Sequence, residues 1–177
     1  MAEEPVKVEG GYTFRGKVYD NETVPALWQK LKSAIRKKGI EVIVEEAAYT
    51  WFNRIMALRI MAKNDYEEPQ LSYVEGMEHT PYILQRARQG EYSFLNNEEQ
   101  RRLRKLISDY NKDAESFALL LVGYCHHHKT LNNIFGKLDD YTELLLPDNM
   151  LQENGFLHLL NNTDAISDED YKKVELI

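Results

Sequence analysis

One apolar segment in the first half of the chain constrains the fold most. It reads "VEEAAYTWFNRIMALRIMAKNDY" from Val44 to Tyr66 and contains neither proline nor glycine. The spacing of its apolar residues predicts one helix over 41–63, roughly 34 Å long at about 1.5 Å per residue. The apolar residues of this helix form two faces, a main face and a second face nearly opposite to it. The main face comprises Ala47, Trp51, Ile55, Leu58 and Ala62, and the second face comprises Tyr49, Met56 and Ile60.

Two arginines, Arg54 and Arg59, flank the main face of this helix. Neither has an acidic residue four positions earlier, where Thr50 and Ile55 stand. A buried guanidinium without a partner is costly, so we expect partners from another part of the fold. The acidic segment "LDDYTELLLPDN" could supply structural ion pairs through Asp139, Asp140 and Glu143. The alternative is an arginine that binds a phosphate or carboxylate in a groove.

Further helix signals follow along the chain. Residues 64–80 are predicted to be a loop, and a short helix runs from Pro81 toward Gly90. Asn97 is predicted to cap a helix whose apolar stripe comprises Leu103, Leu106, Ile107 and Tyr110. The run "FALLLVGYC" predicts a deeply buried helix, and Ser167 opens a last one.

These signals predict a mainly α fold with a single compact helical domain over residues 23–177. Residues 1–22 form a short arm that is irregular or folded as a small hairpin around Arg15-Gly16. The apolar pattern of the last helix still runs at Ile177. We therefore expect the chain to be truncated before a further domain.

The charge of the chain is unevenly distributed. The formal net charge is −7, made up of +3 over residues 1–63 and −10 over residues 64–177. Nucleic-acid affinity depends mainly on cations that neutralise phosphates, so a general phosphate-binding function is excluded. A local contact with DNA phosphates could come from two basic clusters, which would position the duplex rather than read bases. The candidates are Lys30, Arg36, Lys37 and Lys38, with Lys32 beside them, and Arg101, Arg102, Arg104 and Lys105. The alternative is that both clusters are solvated helix faces.

The residues Cys125-His126-His127-His128 are the most conspicuous group of possible metal ligands. Neighbouring residues on a helix point about 100° apart, so the three histidines cannot converge on one ion, and no second pair supports Cys125 and His128. We therefore expect no metal site. A single cysteine allows no internal disulfide and favours a cytoplasmic location. The longest apolar run is too short to cross a membrane.

Two long segments, "VEEAAYTWFNRIMALRIMAKNDY" and "DYTELLLPDNML", carry a resemblance to a known family. They resemble the N-terminal helical region of PglX-type DNA methyltransferases, the adenine-specific modification enzymes of BREX phage-defence systems. "ISDEDYKKVELI" resembles the point where that region continues into the methyltransferase part. The resemblance covers residues 23–177 and does not extend to residues 1–22.

The resemblance implies a parent enzyme that transfers a methyl group from S-adenosylmethionine to the exocyclic amine of adenine in duplex DNA, after flipping the base. The N-P-P-Y-type catalytic motif of such enzymes is absent here, as is a glycine-containing cofactor loop. We therefore expect no catalytic, cofactor-binding or metal-binding residue in this chain.

The resemblance thus implies a non-catalytic helical domain that braces the catalytic domain or positions DNA. Its implied partners are the downstream methyltransferase domain, duplex DNA through the parent, and other BREX proteins. The alternative is a protein-interaction module that docks other defence components and makes no nucleic-acid contact of its own.

Overall fold

The long apolar segment forms one helix, α2, from Ile40 to Lys63 in the computed structural model. The structure describes residues 4–9, 11–14, 16–19, 23–138 and 140–174. Gly39 separates α2 from the helix before it: its φ of +88° ends that helix, while its N–H still donates to the carbonyl of Ile35 at 2.8 Å. A left-handed backbone conformation of this kind favours glycine, because glycine has no Cβ that would clash with the backbone.

Helices dominate the described residues, so the prediction of a mainly α fold is confirmed. The other α-helices are α1 Thr23–Lys38, α3 Tyr82–Arg88, α4 Asn97–Leu106, α5 Asp113–His127, α6 Lys129–Phe135, α7 Phe156–Asn161 and α8 Asp168–Lys172. Two 3-10 helices span Tyr110–Lys112 and Asp140–Leu145. No helix in these ranges is long and apolar enough to cross a bilayer.

The chain divides into two compact units. Unit 1 comprises residues 1–50 and 139–146, and unit 2 comprises residues 51–138 and 147–177. The predicted single helical domain over residues 23–177, with an arm over residues 1–22, remains a prediction.

Unit 1 combines a small sheet with α1 and the first part of α2. Strands β1 Val6–Val8, β2 Gly11–Phe14 and β3 Lys17–Tyr19 pair antiparallel in that order, which confirms the predicted N-terminal hairpin. Phe14 ends β2 and packs its ring against Trp28 of α1, with 5.4 Å between the centroids. Val24, Leu31 and Ile43 complete this core, on which the second 3-10 helix packs.

Unit 2 is built around α5, which packs against α3, α4 and α6. Phe117, Leu120 and Leu121 of this helix are fully buried, as its continuous apolarity predicts. Gly123 lets α5 approach its neighbour closely, because a Cβ there would lie 2.2 Å from Leu95 Cδ2.

The predicted loop over residues 64–80 contains a small antiparallel sheet instead. Strands β4 Tyr73–Val74 and β5 Met77–Pro81 pair across a turn in which Gly76 has φ of +75°. The prediction missed them because β4 has only two residues, too few for alternation to be visible.

The cap of α4 lies one residue earlier than predicted. The side chain of Asn96 accepts hydrogen bonds from the N–H groups of Glu98 and Glu99, each at 3.0 Å. The carboxylate of Glu99 accepts in return from the N–H of Asn96 at 2.7 Å. Adjacent asparagines make the choice ambiguous in sequence, and the reciprocal bonds to Glu99 select Asn96.

The burial of α2 confirms its main apolar face. Trp51, Ile55 and Leu58 are 2–3% exposed. On the second face, Tyr49 is 61% exposed and therefore lies outside the core. The other two residues of this face, Met56 and Ile60, are half-buried.

Candidate nucleic-acid interface

The first basic cluster lies on α1 in unit 1. Arg36, Lys37 and Lys38 form the last turn of the helix, and Lys30 lies two turns earlier; all four side chains are exposed. Cations are favourable at this end because the helix dipole is negative there. Lys38 binds the carboxylate of Glu46 at 2.9 Å, and Lys32 binds Glu4 at 2.5 Å. Part of this charge is therefore compensated within the unit.

The second basic cluster lies on α4 in unit 2. Arg101, Arg104 and Lys105 are exposed, and Arg102 is half-buried. Arg101 and Lys105 point away from Leu103, which is fully buried, whereas Arg102 and Arg104 lie at the sides of the helix. The acidic residues of α4 stand in its first turn, where Glu99 belongs to the cap. The outer face beyond the first turn is therefore cationic and can contact phosphates.

Tyr110 does not belong to the apolar stripe of α4, contrary to the sequence prediction. The helix ends at Leu106, and Tyr110 opens a 3-10 helix in which it is 73% exposed. The guanidinium carbon of Arg88 lies 4.2 Å from the centroid of its ring. This pair carried no sequence signal, because Arg88 and Tyr110 lie on separate elements.

Arg54 is buried inside unit 2, 3% exposed. Its Nη2 donates to the carbonyl of Gly136 at 2.9 Å, and its guanidinium carbon lies 5.6 Å from the ring centroid of Phe135. Arg54 thus joins α2 to the end of α6.

Arg59 is half-buried and joins α2 to α7 and α8. It donates to the amide oxygen of Asn161 at 3.0 Å and to the hydroxyl of Tyr171 at 3.1 Å. The predicted ion pairs of Arg54 and Arg59 remain a prediction. Asp139 and the side chain of Asp140 lie outside the described residues, and Glu143 is half-buried in unit 1.

Cys125 is fully buried in α5. Burial raises the pKa of its thiol to about 12, although the charge of Arg54 opposes this shift. The thiol therefore stays protonated at neutral pH and is a poor nucleophile or metal ligand. Within the described ranges, no group of three or more His, Cys, Asp or Glu residues is arranged to hold a metal ion.

His127 and His128 each contact a carboxylate. His127 Nε2 lies 3.2 Å from Glu99, and His128 Nε2 lies 2.5 Å from Glu67. His128 Nδ1 accepts from the N–H of Leu131, so its Nε2 carries the proton that faces Glu67. The hydroxyl of Tyr124 donates to the same carboxylate at 3.1 Å. Burial, followed by the Glu67 charge, raises the pKa of Tyr124 well above its usual value. This network joins α5 to the segment after α2 and leaves neither nitrogen of His128 for chemistry.

Two further histidines stack in a position that the sequence did not indicate. The rings of His79 and His158 lie 4.7 Å apart and almost parallel, with Tyr73 beside both. His79 has φ of +66°, and its Nδ1 donates to the carbonyl of Leu151 at 3.0 Å. A left-handed conformation at a histidine is uncommon, and this hydrogen bond with the stacking holds it in place. The stacked rings of His79 and His158 thus connect β5 to α7.

Known proteins provide an independent comparison. No family model matches the chain. The chain is 34% identical over 169 residues to a protein of Escherichia coli O9:H4 (strain HS) described as "Adenine-specific methyltransferase BrxX". The match covers 90% of this chain and 13% of the relative. The chain therefore spans about an eighth of the length of this relative. The resemblance to PglX-type methyltransferases of BREX systems that the sequence indicates is thereby confirmed.

Proposed function

We propose that this chain is a non-catalytic helical region of an adenine-specific DNA methyltransferase of bacterial phage defence, and that it helps to position DNA for the catalytic domain. The observation that carries the proposal is the match over 90% of this chain to only 13% of an adenine-specific methyltransferase. The catalytic domain would then lie in the part of the relative that this chain does not match. In the cell, the region would act in the cytoplasm together with the remainder of the parent.

The cofactor would bind outside this region. Nucleotide-type cofactors bind at the carboxyl ends of parallel strands, often beside a glycine-rich turn. The two sheets among the described residues are small and antiparallel, and the sequence has no glycine-rich loop of this type. These residues do not fit S-adenosylmethionine, which we place in the methyltransferase domain of the parent.

The basic clusters support a role in DNA positioning. The exposed arginines and lysines of α1 and α4 have the chemistry of phosphate contacts, which orient a duplex without reading its sequence. Each phosphate contact releases counterions, so binding should weaken as salt rises.

Removing two cations from α4 should weaken duplex binding. For Arg101→Ala/Arg104→Ala we expect about tenfold lower affinity at low salt, and a salt dependence shallower by nearly one unit of log–log slope per lost contact. Fluorescence anisotropy of a labelled duplex, titrated at several salt concentrations, measures both quantities. Arg36→Ala/Lys37→Ala tests the α1 cluster in the same way.

Lys129→Ala/Lys137→Ala is the matched control, because it also removes two positive charges and both lysines are exposed outside the two clusters. Its affinity should equal that of the wild type. If the wild type, both double variants and the control bind the duplex with equal affinity, the proposed role in DNA positioning is wrong.

A protein-interaction module is the second candidate function. It is favoured by an exposed apolar patch on unit 2, where Phe52 is 48% exposed and Leu159 is 56% exposed. Phe156 packs against Phe52, with 5.8 Å between the ring centroids, and stands three residues before Leu159 on α7. Co-purification with the separately expressed remainder of the parent would support this function if Phe52→Ser abolished it while DNA affinity stayed unchanged.

A further inference from the structure

Tyr110 offers an aromatic ring to solvent from a fixed position. It is 73% exposed, and Arg88 covers one face of the ring at 4.2 Å from its centroid. A single exposed aromatic residue needs no special explanation by itself. An exposed ring with a guanidinium stacked behind it is different, because the second face remains open for another planar group.

The ring and the guanidinium are held in place before any ligand arrives. Arg88 is 15% exposed and donates to Asp113 Oδ1 at 2.5 Å. The turn that carries Tyr110 is fixed by Asp109, whose Oδ1 accepts from the N–H of Asn111 at 3.0 Å. Little side-chain freedom would be lost on binding, which favours affinity.

Cations flank this pair along the chain. Arg101, Arg104 and Lys105 are exposed on α4, and the exposed Lys112 follows Tyr110 in the 3-10 helix. The N–H of Asp109 donates to the carbonyl of Leu106 at 3.0 Å, so a tight turn joins the end of α4 to the 3-10 helix. Tyr110 therefore lies in the chain between the exposed cations of α4 and Lys112.

We propose that Tyr110, supported by Arg88, stacks on an unpaired base of DNA while the exposed cations of α4 contact the neighbouring phosphates. Single-strand binding sites combine these two features, because every base has a π-face and every nucleotide has a phosphate. A base inside an intact duplex is already stacked on both sides and leaves Tyr110 without a partner. This inference deepens the proposed function and rests on it, since it names single-stranded or locally unpaired DNA as the ligand of the same surface.

The test compares three labelled DNAs of one sequence: a single strand, a perfect duplex, and a duplex with one unpaired adenine. Binding to the whole chain is measured by anisotropy at low salt. For Tyr110→Ala we expect about tenfold weaker binding to the single strand and to the duplex with the unpaired base, and unchanged binding to the perfect duplex. Tyr110→Phe keeps the ring and should bind all three as the wild type does.

Tyr66→Ala provides the matched control, because Tyr66 is 69% exposed elsewhere in unit 2. It should leave all three affinities unchanged. Circular dichroism checks that each variant keeps the fold, which an exposed ring should not affect.

Three results would overturn the inference: equal affinities of Tyr110→Ala and the wild type, an equal loss for the perfect duplex, or the same loss in Tyr110→Phe. If the α4 double variant weakens duplex binding while Tyr110→Ala has no effect, the inference fails and the proposed function stands. If the chain binds single strands through Tyr110 but never binds the duplex, the inference stands and the duplex-positioning role fails.

Discussion

Replacing Arg54 with alanine is expected to lower the free energy of unfolding of unit 2 by about 3 kcal/mol. The side chain is almost completely buried and donates to the carbonyl of Gly136. The substitution removes a charged hydrogen-bond donor, leaves that carbonyl without this donor, and opens a cavity beside Phe135. Each of these effects is destabilising, and the cost of the cavity is larger the less the surrounding side chains relax into it.

Arg54→Lys separates charge from geometry. Lysine keeps the charge and most of the aliphatic chain but lacks the planar guanidinium that lies near the Phe135 ring, so about half of the loss should remain. Urea unfolding in a Trp28→Phe background reports on unit 2 alone, since Trp51 is then the remaining tryptophan. A loss below about 1 kcal/mol for Arg54→Ala would mean that the guanidinium contributes little net stability in its buried position.

Arg54 and Arg59 show how far sequence reasoning reaches in α2. Helical periodicity predicted that both would flank the buried face, and that their partners would come from elsewhere in the fold. The identified contacts of both arginines are with distant residues of unit 2: Gly136 for Arg54, and Asn161 and Tyr171 for Arg59. A backbone carbonyl such as that of Gly136 leaves no trace in composition, because almost every residue has one. A search for acidic residues could not find it.

The same limit applies to the candidate nucleic-acid interface. The exposure of Arg101, Arg104 and Lys105 on α4 was predictable, because basic residues of a helix with one buried apolar side favour its solvent-exposed faces. The Arg88–Tyr110 pair was not, because it forms only when the turn after α4 meets the end of α3. Apolar spacing even favoured the wrong placement for Tyr110, since the residue continues the stripe of α4 if the helix is extended past Leu106. Whether Tyr110 is buried or exposed therefore depends on where α4 ends.

Gly155→Ala is expected to have the largest effect on stability, about 4 kcal/mol or more. Gly155 precedes α7 with φ of −82° and ψ of 152°, a conformation open to any residue. The restriction is steric: an added Cβ would lie 1.9 Å from the carbonyl oxygen of Asn149 and 2.7 Å from that of Met150. Both atoms belong to the backbone, so neither can move aside as a flexible side chain could.

The consequences of Gly155→Ala should extend beyond its own turn. Its N–H donates to the carbonyl of Gln152 at 2.7 Å, and the turn directs α7, which carries the buried Leu157 and Leu160 together with His158. Displacing the start of α7 would therefore disturb the His79–His158 stack and the Asn161 contact to Arg59. Asn154→Ala, at the exposed neighbouring position, should change stability by less than about 0.5 kcal/mol.

Gly90→Ala separates backbone strain from steric overlap. Gly90 has φ of +92° with nothing near its missing Cβ, so alanine there should cost about 1–2 kcal/mol through strain alone. Unfolding followed by Trp51 fluorescence in the Trp28→Phe background should rank Gly155→Ala as most destabilised, then Gly90→Ala, then Asn154→Ala. A Gly155→Ala protein as stable as Gly90→Ala would mean that the 149–155 turn can relax, and that the position of α7 does not depend on the close approach at Gly155.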